Sequence, residues 1–255
     1  MLDTNTKLLL HCDYDGINPL NIIDSSPSKH IITPVGTAYI DTSTPKFESA
    51  AWYQGKLALD GDSDLASALD SPDWHFSTGD FTLHFRINFN STSGPQIFMS
   101  QCENPALTNG WFLMLQPDGN LRIFFESGLY PNEIIQGYYY TTTPPTLTAG
   151  VDYHMAFERY GAGAFIFLDG VSLPLTEGVA FGTNDVGVQA AALGVGGYIP
   201  GGNYVNGHMW EIEVIKGEAR WVDDFTPYCG LKPGKAYGHS PTPCFQMRHL
   251  GAGTV

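Results

Sequence analysis

The sequence predicts an all-β protein, a sandwich or jelly roll of two antiparallel sheets, and three observations predict it. Residues 81–90 alternate without interruption: Phe81, Leu83, Phe85, Ile87 and Phe89 fall on one face, and Thr82, His84, Arg86, Asn88 and Asn90 on the other. A side-chain period of two over that length marks a strand with one buried face. Similar short segments recur along the chain with turn signals between them and no sustained helical periodicity, which is the pattern of a sandwich. The composition agrees. Charged residues make up 15% of the 255, below the roughly 25% of an ordinary soluble domain. The 29 glycines and 17 prolines supply turns, and a hydrophobic share of 43% is enough to fill a core at this size.

The elements follow in order. Lys7–Cys12 and Leu57–Asp60 are short apolar strands, and Ser63–Leu69 has room for one helical turn. After the alternating strand come Gln96–Gln101, Trp111–Leu115 and Leu121–Phe125. The last two are joined by Leu115-Gln-Pro-Asp-Gly-Asn120, where Asp-Gly supplies the positive φ of a tight hairpin. Asp152–Glu158 leads to Ala164–Leu168, which turns back through Asp169-Gly170. Ala191–Gly194 and His208–Ile215 complete the strands. Periodicity is lost near Tyr228, so the sandwich is assigned to residues 1–228 and an extended C-terminal arm to residues 229–255.

The charge excludes one class of partner. Against 26 Asp and Glu stand 12 Lys and Arg, a net −14, and nucleic acid binding needs a basic footprint instead. No apolar run approaches the ~18 residues of a membrane span, and Met1–Lys7 has no secretory pattern, so no membrane insertion is expected. Cys12, Cys102, Cys229 and Cys244 are widely scattered, which favours free thiols, although Cys229 and Cys244 could close a C-terminal loop.

Several segments, taken in order, resemble one family. They are Leu8-Leu-Leu-His-Cys-Asp13 with Asp24-Ser-Ser26, Ile40-Asp-Thr-Ser-Thr-Pro-Lys-Phe47, Lys56-Leu-Ala-Leu-Asp-Gly-Asp62 and Phe76-Ser-Thr-Gly-Asp-Phe-Thr-Leu83. Asn109-Gly-Trp-Phe-Leu113, Phe167-Leu-Asp-Gly170, Leu193-Gly-Val-Gly-Gly197, Glu211-Ile-Glu-Val-Ile-Lys-Gly217, Ala219-Arg-Trp221 and Phe225-Thr-Pro227 continue the series. This succession is similar to the laminin-G-like branch of the concanavalin A-like lectin/glucanase superfamily, in the version common in tailed-bacteriophage virion proteins. The resemblance covers about residues 7–228. It implies a concanavalin A-like jelly roll of two curved antiparallel sheets, and roles from glycan binding to protein adhesion to virion structure, among which fold does not choose.

Because glucanases share that fold, the chemistry of paired carboxylates must be weighed. Two carboxylates on alternate positions of one strand share a face, as retaining hydrolysis requires. The nearest match is Trp210-Glu-Ile-Glu-Val-Ile-Lys216, in which Glu211 and Glu213 fill two places while Ile215 and Lys216 stand where a further glutamate belongs. The better reading is a strand with Trp210, Ile212 and Val214 inward and the glutamates outward. No hydrolase elbow, zinc-binding helix or nucleotide loop motif occurs. No enzyme is expected.

Asp60, Asp62 and Asp64 gather three carboxylates in one turn, a candidate calcium site. It is not an EF-hand, since Leu65 replaces that loop's glycine, and a solvated acidic turn is the competing reading. Calcium at a sheet rim is what the resemblance implies for Asp62 and Asp64. For sugars, Tyr138, Tyr139 and Tyr140 precede a threonine run, and Tyr130, Tyr198 and Tyr204 lie in Gly/Pro/Asn-rich loops. Tyrosines there offer apolar faces with polar tips. Consecutive tyrosines equally suit a strand, with Tyr139 inward and its neighbours outward. The expectation is a non-enzymatic subunit of a phage virion, decorating capsid or tail. Its partners would be other virion proteins, copies of itself, or host-surface glycans.

Overall fold

The computed structural model describes residues 3–43, 55–102, 110–127, 134–186, 189–199 and 201–227. The expected arm at residues 229–255 lies outside them, as do Tyr130, Cys229 and Cys244. In chain order the strands are β1 (Thr6–Leu10), β2 (Ile32–Val35), β3 (Tyr39–Asp41), β4 (Lys56–Asp60), β5 (Leu65–Ala68), β6 (Phe81–Phe89), β7 (Gln96–Cys102) and β8 (Gly110–Leu115). They continue as β9 (Leu121–Ser127), β10 (Ile134–Thr141), β11 (Asp152–Tyr160), β12 (Gly163–Leu168), β13 (Val171–Ser172), β14 (Leu175–Val179), β15 (Leu193–Val195) and β16 (Asn206–Lys216).

Two eight-stranded antiparallel sheets form among the described residues, giving a jelly-roll sandwich. The first runs β13-β12-β11-β6-β16-β4-β3, with β1 also paired to β16; the second runs β14-β10-β9-β8-β7-β15-β5-β2. The alternation of β6 is what sets the core. Phe81, Leu83, Phe85, Ile87 and Phe89 are fully buried between the sheets, facing Phe98, Trp111, Leu113, Ile123 and Phe125 of the second. Rings of Phe76, Phe81, Trp111, Phe125 and Phe181 meet at centroid separations of 4.4–6.2 Å. The Asp169-Gly170 hairpin forms as expected, both residues at positive φ between Leu168 and its partner Val171.

One expectation is corrected. Where Ser63–Leu69 suggested a helical turn, Leu65–Ala68 is β5, bonded on one edge to β2 and on the other to β15. Pairing on both edges outweighs the modest helix preference of Leu and Ala. The local turn instead forms at Pro72–Trp74, where the Ser71 hydroxyl accepts from the Asp73 N–H and Pro occupies the first turn.

Residues 217–227 cross the outer face of the first sheet as a strap. The Thr82 hydroxyl donates to the Glu218 carbonyl and accepts from the Arg220 N–H, while the Glu158 carboxylate accepts from the Trp221 N–H. Trp221 and Phe225 stack at 4.0 Å and press ring edges on His84 and His154. Burial pushes the Glu158 carboxyl up to about 8, against the counter-pull of the Trp221 N–H, the Thr82 hydroxyl and Arg220. A carboxyl raised in the folded state stabilises fully below its ordinary value of 4.5 and loses that contribution as pH rises through about 8. Stability of the wild type should therefore carry a downward component across that window, no steeper than about 1.4 kcal/mol per pH unit. Glu158→Gln should remove it and be the more stable protein above pH ~8, as read from urea midpoints at a series of pH values.

Candidate functional site

The glutamates of β16 are separated by a bulge. Pairing with β6 shifts register between Trp210 and Glu213, and Glu211 sits at φ 48. One consequence corrects the sequence reading: Trp210 stands opposite Arg86, on the face of His84 and Glu213, while Ile212 and Val214 turn into the core. Trp210 is nonetheless fully buried, with Lys56 Nζ 4.3 Å from its ring centre. Glu213 is fully buried too. Its carboxylate accepts from Thr6 Oγ1 at 2.7 Å, His84 Nε2 at 2.8 Å and Arg220 at 3.2 Å. Such a carboxylate ties strands together and is closed off from solvent. Glu211 lies 2.7 Å from His11 Nδ1.

The three aspartates point three ways. Asp60 folds over its own turn. Although partial burial pulls the other way, the N–H groups of Ser63, Asp62 and Asp64 hold its carboxyl below the usual range. Asp64 is buried and accepts from the Thr37 N–H and hydroxyl. Asp62 is exposed. Among the described residues no group of three or more His, Cys, Asp or Glu is placed to hold a metal ion. The calcium expectation therefore finds no shared centre at Asp60, Asp62 and Asp64.

The tyrosines divide by strand register. Tyr139 faces the core opposite Ile123, its hydroxyl donating to the Ala162 carbonyl and accepting from the Phe181 N–H. Burial pushes that phenol up to about 12. Its expected place on a sugar platform is thus corrected: the two-residue period turns it inward. Tyr138 and Tyr140 turn outward and stack at 5.3 Å on the outer face of the second sheet. There they join residues the sequence reading missed. Register aligns Phe112, Phe124 and Tyr138 in one row and Met114, Arg122 and Tyr140 in the next. Tyr198, from the loop before β16, packs against the same patch. No linear motif announces this group, since its members come from three strands and a loop.

Tyr204, on that same loop, turns into a cleft of about 410 Å³. Gly61 and Asp62 after β4, Ser91, Ser93, Gly94 and Pro95 between β6 and β7, and Asn203 and Tyr204 before β16 bound it, together with Gln96 and Asn206 at the starts of β7 and β16. Gln96 fixes the floor, donating to the carbonyls of Ser91 and Ser93 and accepting from the Asn206 N–H. The loop is tightly built. A Cβ at Gly202 would stand 2.5 Å from the Tyr198 ring, and one at Gly197 2.7 Å from the Tyr204 ring, so only glycine fits. Asn203 holds φ 49, the left-handed region, beside them. No hydrogen bond among the described residues engages the side chains of Asp62, Asn203 or Asn206 at this cleft. A carboxylate, two amides and a phenol ring converging on open space can bind a small molecule rich in hydroxyls.

Neither a family model nor a curated protein sequence matches the chain. Solved structures do. Domain 4 of AbnA, a GH43 extracellular arabinanase from Geobacillus stearothermophilus, in complex with arabinotriose, is 16% identical with a TM-score of 0.55, covering 83% of this chain and 93% of that one. A botulinum neurotoxin type C structure bearing on cell entry through two ganglioside molecules is 10% identical, TM-score 0.56, over 84% of this chain and 49% of its own. The binding domain of botulinum neurotoxin DC in complex with rat synaptotagmin II is 10% identical, TM-score 0.53, over 85% and 50%. The chain thus spans about half the length of the neurotoxin binding domains. At these identities the likeness is one of fold, a β-sandwich of two antiparallel sheets.

Proposed function

We propose that the chain is a non-enzymatic adhesion module that holds glycans in the cleft walled by Asp62, Asn203, Tyr204 and Asn206. The observation that carries this reading is the convergence of uncommitted polar side chains and a tyrosine on a floor fixed by Gln96. Sugars offer hydroxyls to such amides and carboxylates, and C–H faces to a tyrosine ring. The arabinotriose complex of the arabinanase domain and the ganglioside interaction of the type C toxin add support from the same fold. Against hydrolysis stands Glu213, whose carboxylate is fully buried and held by three donors.

The module is carried on the virion of a tailed phage, among other virion proteins or copies of itself. The ordered succession of segments from Leu8 to Pro227 supports that location. Mass spectrometry of purified particles tests it, and absence from the particle overturns it.

Binding is tested by screening the full chain against a glycan array. Tyr204→Ala is expected to weaken the best wild-type glycan by about tenfold or more, because a stacked aromatic and its enclosed contacts are lost. Asn203→Ala should act in the same direction. An array on which the wild type binds nothing, or binding indifferent to Tyr204→Ala, overturns the reading.

A further inference from the structure

The outer face of the second sheet holds an unusual cation. Arg122 lays its guanidinium 4.2 Å from the ring centre of Tyr138, 4.8 Å from that of Phe124 and 5.8 Å from that of Phe112. Its Nε is buried without a hydrogen-bond partner. Among the described residues, every other lysine and arginine has a polar partner. Lys7, Lys29 and Lys216 reach carbonyls, Arg159 ties four of them, Lys56 lies near Asp152, Arg220 holds Glu213, and Arg86 is engaged too. Asp118, the nearby carboxylate, holds Asn120 through both oxygens instead. Among the described residues this guanidinium is thus the cation without a hydrogen-bonded or ion-paired partner, and Asp118 acts on it only through space.

The geometry points to a second glycan contact on this face, which takes a carboxylate-bearing sugar: the Arg122 guanidinium receives the carboxylate, and the pyranose ring lies on the Tyr138–Tyr140 pair. Phe112, Met114 and Phe124 form a buried floor, 5–7% exposed, and Arg122, Tyr138 and Tyr140 remain partly open above it. Tyr140 stands directly across from Arg122 in the strand register. A planar guanidinium already stacked on rings presents its remaining N–H groups in the fork that matches a carboxylate. The protein's own charge makes a bare anion an unfavourable guest, so the aromatic pair must supply the rest of the binding. This inference rests on the glycan-binding reading and adds the class of sugar. It uses different residues from the cleft.

The test is calorimetric titration of the full chain with tetragalacturonate, with fully methyl-esterified tetragalacturonate and with hexaglutamate. Tetragalacturonate should bind, and Arg122→Gln should weaken it by about ten- to a hundredfold, the range for a hydrogen bond to a charged group. Arg122→Lys, which keeps the charge without the fork, should restore only part of the affinity. In the unaltered protein, saturation transfer from tyrosine ring protons to the sugar gives a readout independent of variant folding. Equal binding of the esterified sugar overturns the role of the carboxylate, and equal binding of hexaglutamate overturns the role of the sugar ring. Binding lost on Tyr204→Ala but kept on Arg122→Gln overturns the second contact while leaving the cleft. A positive glycan array with no tetragalacturonate binding does the same.

Discussion

Arg159→Met is expected to lower the unfolding free energy by about 4 kcal/mol or more, at the extreme of single substitutions. Arg159 is fully buried and has no carboxylate partner within hydrogen-bond reach among the described residues. Its guanidinium donates instead to the carbonyls of Gly161 (3.1 Å), Ser77 (3.0 Å), Asn184 (3.0 Å) and Gly182 (3.1 Å), which belong to three separate loops. Phe181 lies beneath the charge at 5.2 Å. Methionine fills much of the volume, yet the carbonyls of Gly161, Gly182 and Asn184 lose this donor while that of Ser77 keeps the Val186 N–H, and each group left unpaired away from water costs about 1–3 kcal/mol. Lysine should recover little, because one ammonium cannot span a fork of four acceptors. Urea unfolding of both variants measures the loss. A Met variant within 1 kcal/mol of wild type would show that the loops find other donors.

Glu213→Ala comes next, at about 3–5 kcal/mol, the cost of breaking a buried ion pair from one side. In a chain of this size that lowers the melting temperature by about 10 °C. The substitution takes the buried acceptor from Arg220, which keeps only the half-exposed Asp3 at 3.6 Å, from His84 and from the Thr6 hydroxyl at once, so β1, β6 and the strap all loosen. Loss of the strap gives the second readout: limited proteolysis should cut within residues 217–227 of the variant before any cut in wild type. Adding Arg220→Ala should cost much less than its effect alone, the non-additivity of a shared pair. Full additivity would mean that the two side chains act independently.

Where a strand sets apolar side chains on one face and polar ones on the other, the sequence was legible, although the strap buries the polar face of β6 as well. The alternation from Phe81 to Phe89 named the core residues of β6, and Asp-Gly at residues 118–119 and 169–170 named two turns. What stayed hidden depends on the third dimension. The bulge at Glu211 reverses the face of Trp210, and a break of period by one residue is silent in a pattern of apolar and polar letters. Asp64 looked like a free acid because nothing in its neighbourhood in sequence announces Thr37. Of the tyrosines, Tyr204 fell in the cleft, Tyr138 and Tyr140 on the outer sheet face and Tyr139 in the core, as a strand's parity dictates. Arg122 was missed because a stacked arginine and a surface arginine read alike until register sets Phe112, Phe124 and Tyr138 beside it.

The place of β16 dictates an order of assembly. It bonds β6 along one edge and β4 and then β1 along the other, so the middle of the first sheet waits for the last strand of the described chain. The meander from β7 to β10 closes by neighbouring hairpins and needs no such wait. During synthesis the second sheet can zip while β1, β4 and β6 leave the ribosome with open edges, exposed to stray pairing until residue 216 emerges. Slow maturation is therefore expected when the last described strand sits at the centre of its sheet.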